Sequence, residues 1–185
     1  MTTASKTTTT TTDTADARSR YQQIRTELRH SFRERDAAID GLLTAVLARE
    51  HVLLLGPPGT AKSQLANAMC NALSGAKFFS WLLTKFSTPD ELFGPMSIKG
   101  LREDKYRRAV DGKLPQAHVA FCDELFKANS SILNALLTLV NERVYHNDVI
   151  IDCPPVTMVG ASNEMPESDG LAALYDRFLL RYWVD

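Results

Sequence analysis

The sequence is poor in cysteine, and its three cysteines lie far apart. Cys70, Cys122 and Cys153 are odd in number and form no CxxC pair. This usage argues against a disulfide framework and against a zinc site, both of which need paired or closely spaced cysteines. We therefore expect three buried thiols in a reducing compartment.

Membrane spans, a secretion signal and a charge excess are missing as well. No apolar run approaches the roughly 18–20 residues that a membrane helix needs. The amino terminus has no apolar core of the secretory type, so we expect a cytoplasmic protein. The 21 Lys and Arg residues balance 22 Asp and Glu, and this excludes a protein that coats nucleic acid by bulk positive charge.

The first twenty positions contain almost no apolar residues, and residues 7–12 are all threonine. Such a segment buries too little surface to offset the entropy that ordering costs. Residues 1–19 are therefore predicted to be a disordered, threonine-rich tail. Residues 20–185 are predicted to form a single domain, because the chain has an ordinary globular composition with 44% apolar residues.

From Tyr21 onward, apolar residues recur with the spacing of helices and strands. An unbroken apolar run at 52–55 ends at a glycine and two prolines, which is typical of a strand buried on both faces of a parallel sheet. Further strands are predicted at 77–83, 119–122, 156–161 and 178–184, a hairpin at 144–152, and loops and hairpins at 87–116. Helical stripes lie at 21–32, 39–47, 65–73 and 132–140. The alternation predicts an α/β domain with a largely parallel sheet of five strands.

A glycine-rich loop lies between the first predicted strand and the helix at 65–73. Backbone N–H groups at a helix N-terminus are unpaired and carry partial positive charge, so they can hold a polyphosphate. Lys62 would place its ammonium on the β- and γ-phosphates, and the Ser63 hydroxyl would bind Mg²⁺. The candidate phosphate-binding residues are Gly56, Pro57, Pro58, Gly59, Thr60, Ala61, Lys62, Ser63 and Gln64.

Ala61 departs from the standard phosphate-loop pattern, which has glycine immediately before the lysine. A methyl group at this position is tolerable if the local φ is negative, since only a positive φ favours glycine strongly. The loop is therefore predicted to have a negative φ at Ala61.

Asp123 and Glu124 follow the strand at 119–122 directly. Two adjacent carboxylates repel each other at a strand tip, and a magnesium ion between them and a phosphate offsets that repulsion. In phosphoryl-transfer ATPases an aspartate at this place holds the metal and an adjacent glutamate polarises the attacking water. The alternative is a solvated cap after a core strand.

Two further polar residues are candidates. Asn163 follows the strand at 156–161 and would orient the attacking water if that strand lies beside the acidic one; the alternative is a plain turn asparagine before Pro166. Arg177 precedes the last strand and could reach the nucleotide of a neighbouring subunit in trans. The alternative for Arg177 is a helix C-terminal arginine that complements the dipole.

Taken in order and spacing, these motifs resemble the AAA+ ATPases, and more narrowly the MoxR group and its RavA branch. The segment at 86–95, FSTPDELFGP, is the one most similar to RavA. The segments ILNALL at 132–137, NER at 141–143 and LYDRF at 174–178 are also similar. The resemblance covers residues 21–185.

The resemblance implies a P-loop NTPase fold, a three-layer αβα sandwich with a five-stranded sheet. It implies a ring-forming, typically hexameric ATPase that uses ATP and Mg²⁺, remodels protein substrates like a chaperone and works with a von Willebrand factor A domain protein. Lys62 and Ser63 would bind phosphates and metal, Asp123 the metal, Glu124 would activate water, Asn163 would be the first sensor, and Arg177 the trans finger. The segments 87–116 and 144–152 would face the central pore or the partner.

The family also has a helical lid after the sheet, and this chain ends at Asp185 without one. We expect weak nucleotide affinity and poor ring assembly without the lid. One alternative is thus a lidless, non-hydrolysing nucleotide-binding scaffold. Another is a DNA-acting AAA+ motor, which the balanced charge disfavours and the basic residues Lys105, Arg107 and Arg108 leave open.

Overall fold

Helices and strands alternate along the chain, as the apolar pattern predicts. The computed structural model describes residues 9–154 and 157–185. Its helices are α1 (Thr9–Ser31), α2 (Asp36–Ala48), α3 (Lys62–Asn71), α4 (Pro89–Phe93), α5 (Ile98–Arg102), α6 (Ser130–Glu142) and α7 (Asp169–Tyr175). Its strands are β1 (Val52–Leu55), β2 (Phe78–Leu82), β3 (Val119–Asp123), β4 (Val144–Asn147), β5 (Val149–Asp152), β6 (Thr157–Ser162) and β7 (Leu180–Trp183).

The central sheet has the order β2-β3-β6-β1-β7, and every neighbouring pair is parallel. This confirms the predicted five-stranded parallel sheet. Because β6 pairs with both β1 and β3, the carboxyl ends of these three strands meet at one edge. The position Val156, where β6 was predicted to begin, lies outside the described residues.

Helices cover both faces of the sheet, so the domain is a three-layer αβα sandwich. Along β1, Val52 and Leu54 pack with α2 and α3 on one face, together with Leu28 of α1. Leu53 and Leu55 pack with α6 and α7 on the other face. All four β1 side chains are buried, which explains why the strand is an unbroken apolar run. Across the described residues, no helix is both long and apolar enough to cross a membrane.

The first helix begins earlier than the sequence predicts. Disorder was predicted for residues 1–19, yet α1 starts at Thr9, and residues 1–8 lie outside the described residues. The side chains at 14–20 are exposed, so burial does not order this part. The helix is fixed from Tyr21 onward by the apolar face around Leu28, and each further residue adds one backbone hydrogen bond at little cost once a helix has nucleated.

The segment at 87–116 also differs from its prediction as loops and hairpins. It contains the short helices α4 and α5, joined by an antiparallel bridge between Met96 and Arg108. Helix α4 forms because Thr88 and Glu91 make a capping box around its first turn. The predicted hairpin at 144–152 is confirmed as β4 and β5, and the Asn147 side chain binds the backbone of Arg108, so the two segments are joined.

All three cysteines are buried free thiols, as predicted. Burial raises the pKa of Cys70 and of Cys122 to about 12, and that of Cys153 to about 11. A thiol with so high a pKa is a poor nucleophile at neutral pH. These cysteines therefore act as core residues.

His51 is a buried polar residue at the amino end of β1. Its Nδ1 accepts a hydrogen bond from the Met158 N–H at 3.1 Å, so its Nε2 donates to the Val140 carbonyl at 3.2 Å. This arrangement requires the neutral ring. Burial lowers the pKa of His51, and the nearby positive charge of Arg143 lowers it further.

The loop between β1 and α3 has an unusual backbone. Gly56 has φ 145°, and a Cβ there would collide with the Val184 carbonyl oxygen, so the close approach of β7 requires glycine. Ala61 has φ 63°, which contradicts the predicted negative value. The reason is geometric: the chain must reverse sharply to begin α3 at Lys62, and a left-handed residue makes that turn. An L-residue with a Cβ is strained by about 1–2 kcal/mol in this conformation.

We expect the stability of the protein to fall as the pH drops. The pKa of His51 is lower in the folded state than the usual value of about 6.5, so the unfolded chain takes up a proton first. The contribution is complete above about pH 6.5 and is lost below it, at no more than about 1.4 kcal/mol per pH unit. Denaturant unfolding at pH 7.5 and 5.5 measures it. His51→Gln should show a smaller pH dependence; an unchanged dependence would contradict this account.

Ala61→Gly should stabilise the protein by about 1 kcal/mol, because glycine relieves the left-handed strain. Ala68→Gly is the matched control: Ala68 lies inside the same helix, where glycine costs about 1 kcal/mol relative to alanine. The urea midpoints of the two variants should move in opposite directions. Destabilisation by both substitutions would show that the strain at Ala61 is absent.

Candidate nucleotide-binding site

A cleft of about 380 Å³ opens at the carboxyl edge of the sheet, where β1, β3 and β6 end. Every residue that lines it was a candidate from the sequence. The lining residues are Pro58, Gly59, Thr60, Ala61, Lys62, Ser63, Gln64, Asp123, Glu124 and Asn163. Gly56 and Pro57 lie at the base of the loop, and their carbonyl groups point at the Lys62 ammonium.

Helix α3 directs its N-terminus into this cleft. The helix begins at Lys62, and its first amides have no partner within the helix. Leu65 donates the first bond back into the loop, to the Ala61 carbonyl. The free amides and the positive end of the helix dipole therefore face the cleft together, which is the arrangement that binds phosphate.

The Lys62 side chain is 6% exposed and folds back over its own loop. Its Nζ donates to the Gly56 carbonyl at 2.7 Å, to the Pro57 carbonyl at 2.8 Å and to Asn163 Oδ1 at 3.0 Å. Burial lowers the pKa of Lys62, while the negative charges of Asp123 and Glu124 oppose that shift. A buried ammonium held only by neutral oxygens gains strongly from an anion placed beside it.

Ser63 and Asp123 meet across the cleft, and the Ser63 hydroxyl donates to Asp123 Oδ2 at 3.1 Å. A hydroxyl and a carboxylate oxygen are the hard ligands that Mg²⁺ accepts alongside phosphate oxygens and water. Among the described residues, no group of three or more His, Cys, Asp or Glu could hold a metal alone. The residues present therefore fit a Mg²⁺ that arrives with a phosphate and completes its shell from it.

Glu124 is held from two sides. Asn163 Nδ2 donates to Glu124 Oε1 at 2.7 Å, and the Lys127 ammonium lies 3.3 Å from Oε2. Asn163 follows β6, which lies beside the acidic strand β3, as its candidate role requires. The sequence reasoning missed Lys127, although its position three residues after Glu124 in a turn was a usable signal.

Arg177 lies away from this cleft. It comes just before β7, whose Leu180 pairs with Val52 at the amino end of β1. It therefore lies at the opposite edge of the sheet, where it lines a second cleft of about 330 Å³ together with His51 and Arg143. Its backbone N–H donates to the Leu174 carbonyl, so it also lies at the C-terminal end of α7. Within one chain, Arg177 does not join the other candidate residues.

Comparison with known proteins places this geometry in a family. Residues 19–185 match the family model described as the MoxR domain in the MoxR-vWA-beta-propeller ternary systems. An uncharacterized protein of Methanocaldococcus jannaschii is 53% identical over 164 residues, which cover 88% of this chain and 43% of that protein. The match does not single out the RavA branch.

Solved structures share the fold at low identity. Hsp104, in a closed state with ATPγS and casein, has a TM-score of 0.63 at 15% identity, over 91% of this chain and 36% of that chain. RuvB of Thermotoga maritima has a TM-score of 0.52 at 22% identity, over 80% of this chain and 44% of that chain.

The sequence spans about two fifths of the length of its archaeal relative, 43% in the alignment above. The family model, in contrast, matches it from residue 19 to its last residue, and the whole phosphate cleft lies inside the matched range. This chain belongs to the MoxR family of AAA+ ATPases.

Proposed function

We propose that the chain binds ATP with Mg²⁺ and hydrolyses it as the nucleotide-binding core of a MoxR-type ring. The observation that carries the proposal is the 3.1 Å contact between Ser63 and Asp123, which joins the phosphate loop to the acidic strand in one cleft. Glu124 and Asn163 line the same cleft. Family membership supports an ATPase-type activity, and adenine as the base rests on the family alone.

In this proposal the amides at the start of α3 hold the phosphates, and the Lys62 ammonium turns from its own loop onto the β- and γ-oxygens. Ser63 and Asp123 would hold Mg²⁺. The metal would neutralise charge on the phosphate oxygens. The present contacts of Lys62 are all to neutral oxygens, so the exchange for phosphate is favourable.

Glu124 would polarise the attacking water, and Asn163 would orient it against the γ-phosphate. Both side chains already bond to each other at 2.7 Å, so a water that enters between them meets one acceptor and one amide. The bond between water oxygen and phosphorus forms as the bond to the leaving ADP oxygen breaks, and the proton of the water passes toward the Glu124 carboxylate.

A ring, typically a hexamer, would complete the site. Arg177 lies at the amino edge of the sheet, far from its own phosphate cleft, so it would serve the nucleotide of a neighbouring subunit. The segments 87–116 and 144–152 would face the pore or a partner with a von Willebrand factor A domain, in a chaperone-like remodelling of protein substrates. The exposed apolar side chains of Ile98, Tyr106, Val149 and Ile150 support a protein contact there.

The DNA-motor alternative gains no support from the basic residues that left it open. Lys105 and Arg107 pair with Glu103, and Arg108 pairs with Asp90. Their charge is thus largely balanced locally. Phosphate backbones bind clusters of unpaired cations.

Glu124→Gln should leave ATP binding intact and reduce hydrolysis by at least about 100-fold, since it removes the water-activating carboxylate. Lys62→Ala should weaken ATP binding itself. Calorimetry with Mg·ATP separates the two effects, and phosphate release gives the rate. Hydrolysis by Glu124→Gln at the parent rate would remove this residue from the mechanism, and unchanged affinity in Lys62→Ala would refute the phosphate-loop assignment.

Arg177→Ala should lower turnover by roughly 10³–10⁵-fold if the residue is a finger in trans. Mixing Arg177→Ala chains with Glu124→Gln chains should then restore part of the rate, because some interfaces pair an intact Glu124 with an intact Arg177. Arg181→Ala is the control, since Arg181 packs on Tyr175 of its own chain. A mixture that stays as inactive as its components would contradict a role in trans.

A further inference from the structure

Lys127 lies beside the water-activating glutamate and has no role in the site described so far. We propose that Lys127 is a positioning residue that keeps the Glu124 carboxylate aimed at the attacking water once nucleotide is bound. The proposal deepens the proposed function and rests on it, since it assumes that Glu124 activates water. It concerns the orientation of Glu124 and assigns Lys127 no contact with nucleotide.

The backbone after β3 brings the two charges together. Glu124 has φ 52°, and this left-handed residue turns the chain into a short 3₁₀ turn at Leu125–Lys127. The Lys127 N–H donates to the Glu124 carbonyl at 2.8 Å. Leu125 and Phe126 are buried and hold the turn in the core, so the Lys127 ammonium is carried to a fixed place beside Glu124.

The other partner of Glu124 is shared with the phosphate loop. Asn163 donates to Glu124 Oε1 at 2.7 Å, and its Oδ1 accepts from the Lys62 ammonium at 3.0 Å. When Lys62 turns to the phosphates, Asn163 loses that donor and its amide is free to follow the γ-phosphate. The grip of Asn163 on Glu124 therefore depends on whether the cleft is occupied.

Lys127 is independent of that exchange. It does not line the phosphate cleft, whereas Glu124 does. It lines a separate cleft on the far side of Glu124, with Lys85 and Glu164 among its neighbours. Nucleotide does not compete for the Lys127 ammonium, so Glu124 Oε2 keeps this partner when Oε1 exchanges Asn163 for water.

A simple surface ion pair would have the same distance, 3.3 Å, with a different consequence. Such pairs contribute only about 0–1 kcal/mol to folding. Here the Glu124 side chain is 17% exposed and that of Lys127 is 42% exposed. A half-buried carboxylate without its cation is free to leave the productive rotamer, and a misplacement of about 1 Å costs on the order of 100-fold in rate.

The test compares Lys127→Met with Lys127→Arg in steady-state ATP hydrolysis. Lys127→Met keeps the length of the side chain and removes its charge, so kcat should fall roughly 10- to 100-fold while KM stays within about twofold. Lys127→Arg keeps a cation within reach and should recover most of the rate. Lys85→Met, which removes a neighbouring charge of the second cleft, should keep the parent kcat.

A second background separates positioning from damage to the fold. In Glu124→Gln, adding Lys127→Met should change the residual rate no further, because the group to be positioned is gone. Parent kcat in Lys127→Met, a kcat above the parent, or an equal loss in the Glu124→Gln background would each overturn the inference. If Glu124→Gln itself retains the parent rate, the proposed function fails first; if only Lys127→Met does, the failure is confined to this inference.

Discussion

The buried Lys62 ammonium is the interaction around which the whole cleft is organised. It touches the carbonyls of Gly56 and Pro57 and the amide of Asn163, so one cation joins the β1–α3 loop to the end of β6. Asn163 passes the contact on to Glu124 at the end of β3. This network exists because the parallel order β3-β6-β1 brings three carboxyl ends to one edge. Core burial on both faces keeps that order in place.

The same edge stores conformational strain. Ala61 and Glu124 both have left-handed φ values, 63° and 52°, although neither is glycine. Each turns the chain sharply at the end of a buried strand, one into α3 and the other into the turn that carries Lys127. Strain of this kind persists where the surrounding packing fixes the backbone, and it often accompanies function.

Much of the fold follows from short apolar runs. Segments such as 52–55 must be buried on both faces, and this predicts parallel strands, whose polar ends then meet at one edge. Asp123 and Asn163 were found in this way. The sign of φ at Ala61 was wrong because it depends on the path between two packed elements. Lys127 was missed because its approach to Glu124 needs that residue's left-handed turn, and the start of α1 was missed because helix propagation leaves no apolar signal.

A crystal structure with Mg²⁺ and a non-hydrolysable ATP analogue tests the central claim most directly, since it reports where the phosphates lie. The Lys62 ammonium should leave the Gly56 and Pro57 carbonyls for the phosphate oxygens, with the metal between Ser63 and Asp123 and the phosphates on the amides that begin α3. An analogue bound elsewhere, with Lys62 still in its present contacts, would contradict the account.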